Sequence, residues 1–214
     1  MSDIFQEIDE DLRRDRFNQL WKHYGNYIMV AAVLIVLGTA GIVGWRDYKE
    51  RQNAAQADAF LKAMDQAQAG NADAAKASFG QLAKDGGFGY ATLARLQQAA
   101  LQVKAGDTAG AIKLYDEIAA DARVEQGLRD LAVILAAQHT LDSADPAQLT
   151  QRLQPLTQEK NPWRHSAMEM QALLAKRAGD TAKAKEIYTK LADDLSAPQG
   201  LRARATEMLA ILGG

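Results

Sequence analysis

Few side chains in this sequence could carry out acid–base or metal chemistry, and their spacing matches no usual catalytic pattern. The histidines His23, His139 and His165 lie far apart, and no HExxH motif pairs two of them for a metal. The chain has no cysteine, which excludes thiolate nucleophiles and disulfides. A GxSxG turn and a P-loop are also absent. We therefore expect a non-enzymatic protein without a metal or a cofactor.

Two other patterns have simpler explanations than catalysis. The Gly-rich run at 86–89 lacks a following Lys-Ser/Thr and a preceding strand, so we expect a loop between helices there. The acidic runs at 9–11 and 193–194 are more typical of solvated helix surfaces than of catalytic pairs. A formal net charge of −2 gives no basic face for nucleic acid.

The elements that position these residues should be helices. The 214 residues contain only four prolines and are rich in alanine, which favours helix because Ala loses no side-chain entropy there and Pro breaks the backbone ladder. Hydrophobic residues make up 48% and charged residues 24%, as in ordinary folded proteins. The length allows one domain with a core and an appendage.

The appendage includes a segment long and apolar enough to cross a bilayer. Residues 24–45, from Tyr24 to Trp45, contain no charged side chain and as a helix would span ~33 Å, against a hydrocarbon core of ~30 Å. Lys22 and Arg46 flank the segment, and aromatic residues cluster at both ends, as at membrane interfaces. A buried core helix and a cleaved signal peptide are the alternatives, although no small-x-small cleavage site follows.

Two features accompany this predicted transmembrane helix. Residues 1–23 are expected to form an amphipathic arm on a membrane or partner, or alternatively a solvated arm. The arm carries apolar residues at helical spacing: Ile4, Phe5, Ile8 and Leu12. A stripe of small residues in the helix could let a partner helix approach closely: Gly38, Gly41 and Gly44. Lys and Arg are nearly balanced across the segment, so charge alone leaves the topology open.

Residues 46–214 repeat themselves. The stretches are 69–85 (AGNADAAKASFGQLAKD), 105–121 (AGDTAGAIKLYDEIAAD) and 178–194 (AGDTAKAKEIYTKLADD). The first two are offset by 36 residues and the second and third by 73, about two repeats. This period predicts stacked helical pairs, since one pair alone cannot bury its apolar face.

Each copy has the residue types of a turn followed by a helix. A glycine ends one helix and an Asn or Asp follows as N-cap: Gly70, Gly106 and Gly179, then Asn71, Asp107 and Asp180. A small, an aromatic and an aliphatic residue follow at helical spacing on one face: Ala75, Phe79 and Leu82, then Ala111, Tyr115 and Ile118, then Ala184, Tyr188 and Leu191. Another helix is expected before each turn, near 47–68, 90–104, 128–141 and 163–177, with a capping helix at 198–212.

Residues 141–157 stand where one further copy should be, and they lack the glycine and the aromatic. We expect a degenerate copy with a short second helix, because Pro155 interrupts it. Asp145-Pro146 and Asn161-Pro162 each predict an N-cap followed by Pro at the first helical position.

The helix-turn-helix unit of ~34–37 residues with this pattern resembles the tetratricopeptide repeat. The expected fold is all-α: one N-terminal transmembrane helix followed by a right-handed α-solenoid over residues 46–214, with about four helix pairs and the capping helix. The resemblance implies a concave groove lined by the first helix of each pair. Counting back from the turn glycines places four residues there: Leu96, Ala100, Glu169 and Leu173. The alternative is that Leu96 and Leu173 belong to the core between repeats.

The N-terminal stretch MSDIFQEIDEDLRRDRFNQLWKHYGNYIMVAAVLIVLGTAGIVGWRDY is similar to that of the bacterial ancillary SecYEG translocon subunit family (YfgM type). This resemblance implies a single-pass inner-membrane protein with a cytoplasmic N-terminus and periplasmic repeats. It also implies translocon subunits, a periplasmic chaperone and unfolded or emerging polypeptides as partners. A general cell-envelope scaffold, in cell division or stress signalling, is the alternative function.

Overall fold

The computed structural model describes the backbone of residues 3–213, and the side chains in that range except those of residues 3–21, His23, Ile28 and Phe88. The apolar face predicted for the arm lies outside the described side chains. Every regular element within the described residues is helical. The α-helices are α1 (Asp3–Gln68), α2 (Ala72–Asp85), α3 (Phe88–Lys104), α4 (Thr108–Ala120), α5 (Gln126–Thr140), α6 (Pro146–Leu153), α7 (Arg164–Arg177), α8 (Thr181–Asp193) and α9 (Gln199–Ile211).

The chain divides into two compact units, residues 1–55 and residues 56–214. In the first unit, one stretch of α1 is long and apolar enough to cross a membrane, judged by length and composition. The most apolar part of this stretch contains no buried residue, and Leu34, Val36 and Leu37 are each more than half exposed. A buried core helix would hide such side chains, so this alternative does not describe the segment.

In the second unit, the predicted turn glycines adopt the backbone shape that only glycine accepts without strain. Gly70, Gly106 and Gly179 have φ of 80°, 85° and 81°. At the second turn the Asp107 N–H donates to the Gln102 carbonyl at 2.9 Å, the long bond of a Schellman motif.

The caps after these glycines follow the prediction at two of the three turns. The side chain of Asp107 accepts from the Gly110 N–H and that of Asp180 from the Lys183 N–H, each at 2.9 Å. Asn71 occupies the N-cap position but makes no side-chain cap bond. At residues 86–89 the predicted loop shrinks to Gly86 and Gly87, because α3 already begins at Phe88. There the Gly87 N–H donates to Oε1 of Gln56 at 2.7 Å.

The predicted small-aromatic-aliphatic pattern forms the core of the second unit, as its burial confirms. All nine residues are buried, and the largest fully buried side chains include the two tyrosines Tyr115 and Tyr188. The alanines let the helices approach closely, so that the aromatic rings fill the space between neighbours. At the start of this unit, Phe60 packs edge-on against Phe79 with ring centroids 5.5 Å apart.

The degenerate copy has the predicted short second helix. Helix α6 ends at Leu153 and passes into a 3-10 turn, Gln154–Thr157, which contains Pro155. Asp145 caps α6 as predicted, accepting from the Gln148 N–H at 2.8 Å. The guanidinium of Arg177 on α7 donates to the carbonyls of Leu141 and Ala144, which fixes the turn between α5 and α6.

The prediction for Asn161-Pro162 is wrong by two residues. Helix α7 begins at Arg164, and Trp163 is its N-cap. Asn161 instead closes a turn ahead of the helix, where its Oδ1 accepts from the Trp163 N–H at 2.8 Å. Its Nδ2 donates to the buried carboxylate of Asp130 at 2.7 Å. The Asn-Pro pair therefore serves a tertiary hydrogen bond, which local sequence rules do not include.

A candidate partner-binding cleft

Two stretches of the repeat unit have the same architecture 73 residues apart. We name α3, α4 and α5 the first layer and α7, α8 and α9 the second layer. Each packs one core cluster around a buried tyrosine, Tyr115 in the first layer and Tyr188 in the second. Adding 73 to a position in the first layer gives its equivalent in the second.

An open cleft of about 600 Å³ lies along α5, α7 and α9, with Tyr188 of α8 at its wall. A pocket of this size can bury a drug-sized ligand or several side chains. Its apolar lining consists of Ile134, Leu141, Met170, Leu173, Met208 and Ile211. Ile211 is 62% exposed, so part of this apolar surface already faces solvent.

An ion pair spans the cleft from α7 to α9. The Nε and Nη2 atoms of Arg204 donate to the two carboxylate oxygens of Glu169 at 2.8 and 2.9 Å. This fork-to-fork geometry fixes the relative orientation of both side chains. The hydrogen bonds that Arg204 donates to Glu169 raise the pKa of Arg204 above its ordinary value. Because the Arg204 side chain is 58% exposed, the pair contributes little to stability.

The hydroxyl of Tyr188 has unused hydrogen-bonding capacity. The residue is 1% exposed, and its hydroxyl has no hydrogen-bond partner among the described residues. Burial, and then the nearby charge of Glu169, raise the pKa of Tyr188 to about 12. The phenol is therefore protonated at neutral pH, and leaving it unpaired costs free energy.

The structure separates the four predicted groove residues. Glu169 and Leu173 both line the cleft. Leu96 is 8% exposed and belongs to the core cluster of the first layer, so we remove it from the candidate site. Ala100 is half-buried on α3 and is not among the residues that line the cleft.

The cleft side chains that come from other helices were not predicted from the sequence. Arg204, Glu207, Met208 and Ile211 all lie on α9, which was predicted only as a cap. The 73-residue offset held a signal, because it equates Leu131 with Arg204 and Leu96 with Glu169. The two positions change together, from two leucines in the first layer to a glutamate and an arginine in the second. Such a joint change indicates that the two positions face each other.

In the first unit, the small-residue stripe is open. A Cβ atom added at Gly38, Gly41 or Gly44 would meet no heavy atom within 4 Å. The neighbouring Thr39 hydroxyl donates to the Ile35 carbonyl at 2.6 Å within the helix. Contact between this stripe and a partner helix stays a prediction.

The two histidines with described side chains take part in packing and loop contacts. The ring of His139 stacks on Tyr115 with centroids 6.2 Å apart and planes 5° from parallel. Nε2 of His165 lies 3.0 Å from Oδ2 of Asp194, which also accepts from Arg164 at 2.5 Å. Hydrogen bonds from Ser196, then from His165, hold the pKa of Asp194 well below its usual range. These contacts fasten the loop between α8 and α9 to the start of α7.

Among the described residues, no group of three His, Asp or Glu side chains could hold a metal ion. The model of the tetratricopeptide repeat-like domain matches residues 18–209.

The chain belongs to the tetratricopeptide repeat-like domain family. The matched range includes the apolar segment, the whole first layer and the second layer up to residue 209 in α9. No curated protein and no solved structure matches the chain. Domains of this family act as protein–protein interaction modules, and a cleft lined by apolar side chains with a few polar groups suits that role.

Proposed function

We propose that this tetratricopeptide repeat-like protein is a membrane-anchored interaction module that works as an ancillary subunit beside the Sec translocon. There it would assist emerging polypeptides together with a periplasmic chaperone. The proposal is supported mainly by one observation: the same chain contains an exposed apolar helix and a repeat unit with an open cleft. The similarity of residues 1–48 to the translocon subunit family supplies the partner.

Membrane anchoring is supported by the exposed surface of the apolar segment. Exposed side chains such as Ile35, Val36 and Leu37 would be unfavourable in water and are stable in lipid. Tyr24 and Trp45 at the ends suit the two interfaces. We propose an inner-membrane location with the N-terminus in the cytoplasm and the repeats in the periplasm.

Binding of emerging chains is supported by the character of the cleft. Its methionines, Met170 and Met208, have flexible side chains that adapt to different partners. Its one ion pair is already satisfied, so no free Arg is held ready for an acidic tail. Such a surface favours weak contact with many unfolded segments, as a translocation helper needs.

The test is isolation of the tagged full chain from membranes solubilised in a mild detergent, followed by mass spectrometry. Enrichment of translocon subunits and a periplasmic chaperone is the expected result. Enrichment of division or cell-wall proteins alone would favour the alternative of a general envelope scaffold and overturn the proposal. A periplasm-dependent reporter fused after Gly214 should also be active, whereas activity of a cytoplasm-dependent reporter would reverse the topology.

A further inference from the structure

The walls of the cleft offer apolar contact on three helices, α5 of the first layer and α7 and α9 of the second. Ile134 comes from α5, Leu173 from α7 and Ile211 from α9. Burial of one large aliphatic side chain between such walls is the main favourable term available here. Exposed Ile211 would gain most from cover, because it is 62% exposed without a partner.

The charges of the cleft are unequal in sign. Its lining carries two carboxylates, Glu169 and Glu207, and one guanidinium, Arg204. Because Arg204 already gives two hydrogen bonds to Glu169, the unbalanced charge is that of Glu207. Glu207 is exposed and forms no ion pair with a described residue. The cleft therefore favours a cationic side chain over an anionic one.

The Tyr188 hydroxyl favours a partner with free backbone groups. It is protonated at neutral pH and can donate to a carbonyl or accept from an N–H. A partner group would reach this buried hydroxyl after flexible lining side chains such as Met208 move aside. The interior of a helix has no free backbone group to offer, because its N–H and C=O groups bond to each other. An extended segment has both.

We propose that the cleft binds an extended segment of a partner polypeptide in which large apolar side chains flank a Lys or Arg. The apolar side chains fill the space between Leu173 and Ile211, and the cation faces Glu207. A backbone group of the segment pairs with the Tyr188 hydroxyl. This inference rests on the proposed function, because it specifies which part of an emerging chain the repeats bind.

The test measures peptide binding to the full chain in nanodiscs of neutral phosphatidylcholine, by fluorescence anisotropy. The probe is a fluorescein-labelled peptide, Gly-Ser-Gly-Leu-Arg-Leu-Gly-Ser-Gly, and empty nanodiscs give the background. One comparison peptide has Glu in place of Arg. A second carries Leu-Arg-Leu in an alanine-based helix. We expect the extended Arg peptide to bind most tightly.

Three variants, each with a matched control, locate the binding. Ile211→Ser should weaken it by about tenfold through lost apolar contact, whereas Leu195→Ser, at a loop side chain that is 86% exposed, should not. Glu207→Lys should weaken it about two- to fivefold, but Asp193→Lys should not. Tyr188→Phe should weaken it about two- to tenfold, and its equivalent Tyr115→Phe should leave it unchanged.

The outcomes separate this inference from the proposed function. Equal binding by wild type and Ile211→Ser would overturn the cleft as the site, and tighter binding of the helical peptide would overturn the extended occupant. Equal binding of the Glu peptide would remove the role of Glu207. If any of these occurs while translocon subunits still co-purify with the chain, the proposed function stands and its contact lies elsewhere. If the peptide binds as expected but translocon subunits do not co-purify with the chain, the peptide specificity of the cleft stands and the proposed function beside the translocon is wrong.

Discussion

The two layers have the same order of helices but differ at one pair of facing positions. This pair lies on the first and third helices of each layer, α3 and α5 in the first and α7 and α9 in the second. In the first layer these are Leu96 of α3 and Leu131 of α5, both part of one apolar cluster. In the second layer the equivalents are Glu169 and Arg204, which form an ion pair and line the cleft. The same order of helices therefore carries an apolar, packed pair in one layer and a charged pair that lines an open cleft in the other.

Both layers should fold without the membrane segment. Deletion of residues 1–46, which removes more of the chain than any other variant, tests this. We expect a soluble helical protein, because each layer contains its own buried cluster. Circular dichroism and a thermal melt provide the measurement. A fragment with little helix or no cooperative transition would contradict the domain division at residues 45 and 46, which stays a prediction.

Among single substitutions, Leu96→Glu should destabilise the protein most. It places in the first layer the carboxylate that Glu169 has in the second, but without the partner that Arg204 provides. Burying a carboxylate with no partner should lower the free energy of unfolding by about 3 kcal/mol or more. Adding Leu131→Arg should recover part of this loss by supplying the ion pair. Urea unfolding of the fragment 47–214 measures both variants. A Leu96→Glu variant as stable as wild type would mean that the first layer is as open as the second.

Acid should act on both layers through equivalent loop carboxylates. Hydrogen bonds from Arg123 lower the pKa of Asp121 from 3.8 to about 2. The pKa of the equivalent carboxylate 73 residues later, Asp194, is also lowered. A depressed carboxylate stabilises the fold above its unfolded pKa and loses this effect as pH falls through the folded value. For Asp121 the stabilisation should therefore disappear between about pH 4 and pH 2.

Acid titration of the fragment by circular dichroism measures this effect. Asp121→Asn and Asp194→Asn should each reduce stability at pH 7 and flatten the acid limb. The control Asp193→Asn, at an exposed carboxylate, should follow the wild type. Identical acid limbs for all four proteins would show that these loops do not govern acid stability.

Replacing the ion pair of the second layer by the two leucines found at the equivalent positions of the first layer should change the free energy of unfolding only slightly. In the double variant Glu169→Leu with Arg204→Leu, a half-exposed ion pair is replaced by apolar contact, which is often neutral or stabilising. We expect a free energy of unfolding within about 1 kcal/mol of wild type by urea titration, since exposed pairs contribute about that much at most. A loss above about 2 kcal/mol would mean that the ion pair holds α7 and α9 together.

Local sequence rules predicted most of the fold because the deciding interactions are local. A glycine with φ near 80° and the Asp after it are neighbours in the chain, and the spacing from Ala111 to Ile118 reports one helix face. The short α6 followed from Pro155, which cannot continue a helix.

The site was predicted only in part because its contacts join residues far apart in sequence. Counting back from the turns treated Leu96 and Glu169 as equal members of a groove. Their burial differs because of what stands opposite on the following helix, Leu131 or Arg204. Likewise, Asn161 was misplaced as a helix cap because its partner, Asp130, lies 31 residues earlier.

The smallest predicted effect concerns the two buried tyrosines, whose rings are alike and whose hydroxyls differ. Tyr188→Phe removes a buried hydroxyl with no partner among the described residues, so it should leave stability unchanged or raise it by up to about 1 kcal/mol. Tyr115→Phe keeps the ring that stacks on His139 and should be close to neutral. Urea unfolding of both variants, with matched denaturant slopes, gives the difference. A Tyr188→Phe variant that loses more than about 1 kcal/mol would mean that the hydroxyl is paired within the fold. The cleft would then have no hydrogen bond to offer an extended chain, and its attraction for partners would rest on apolar contact and on Glu207 alone.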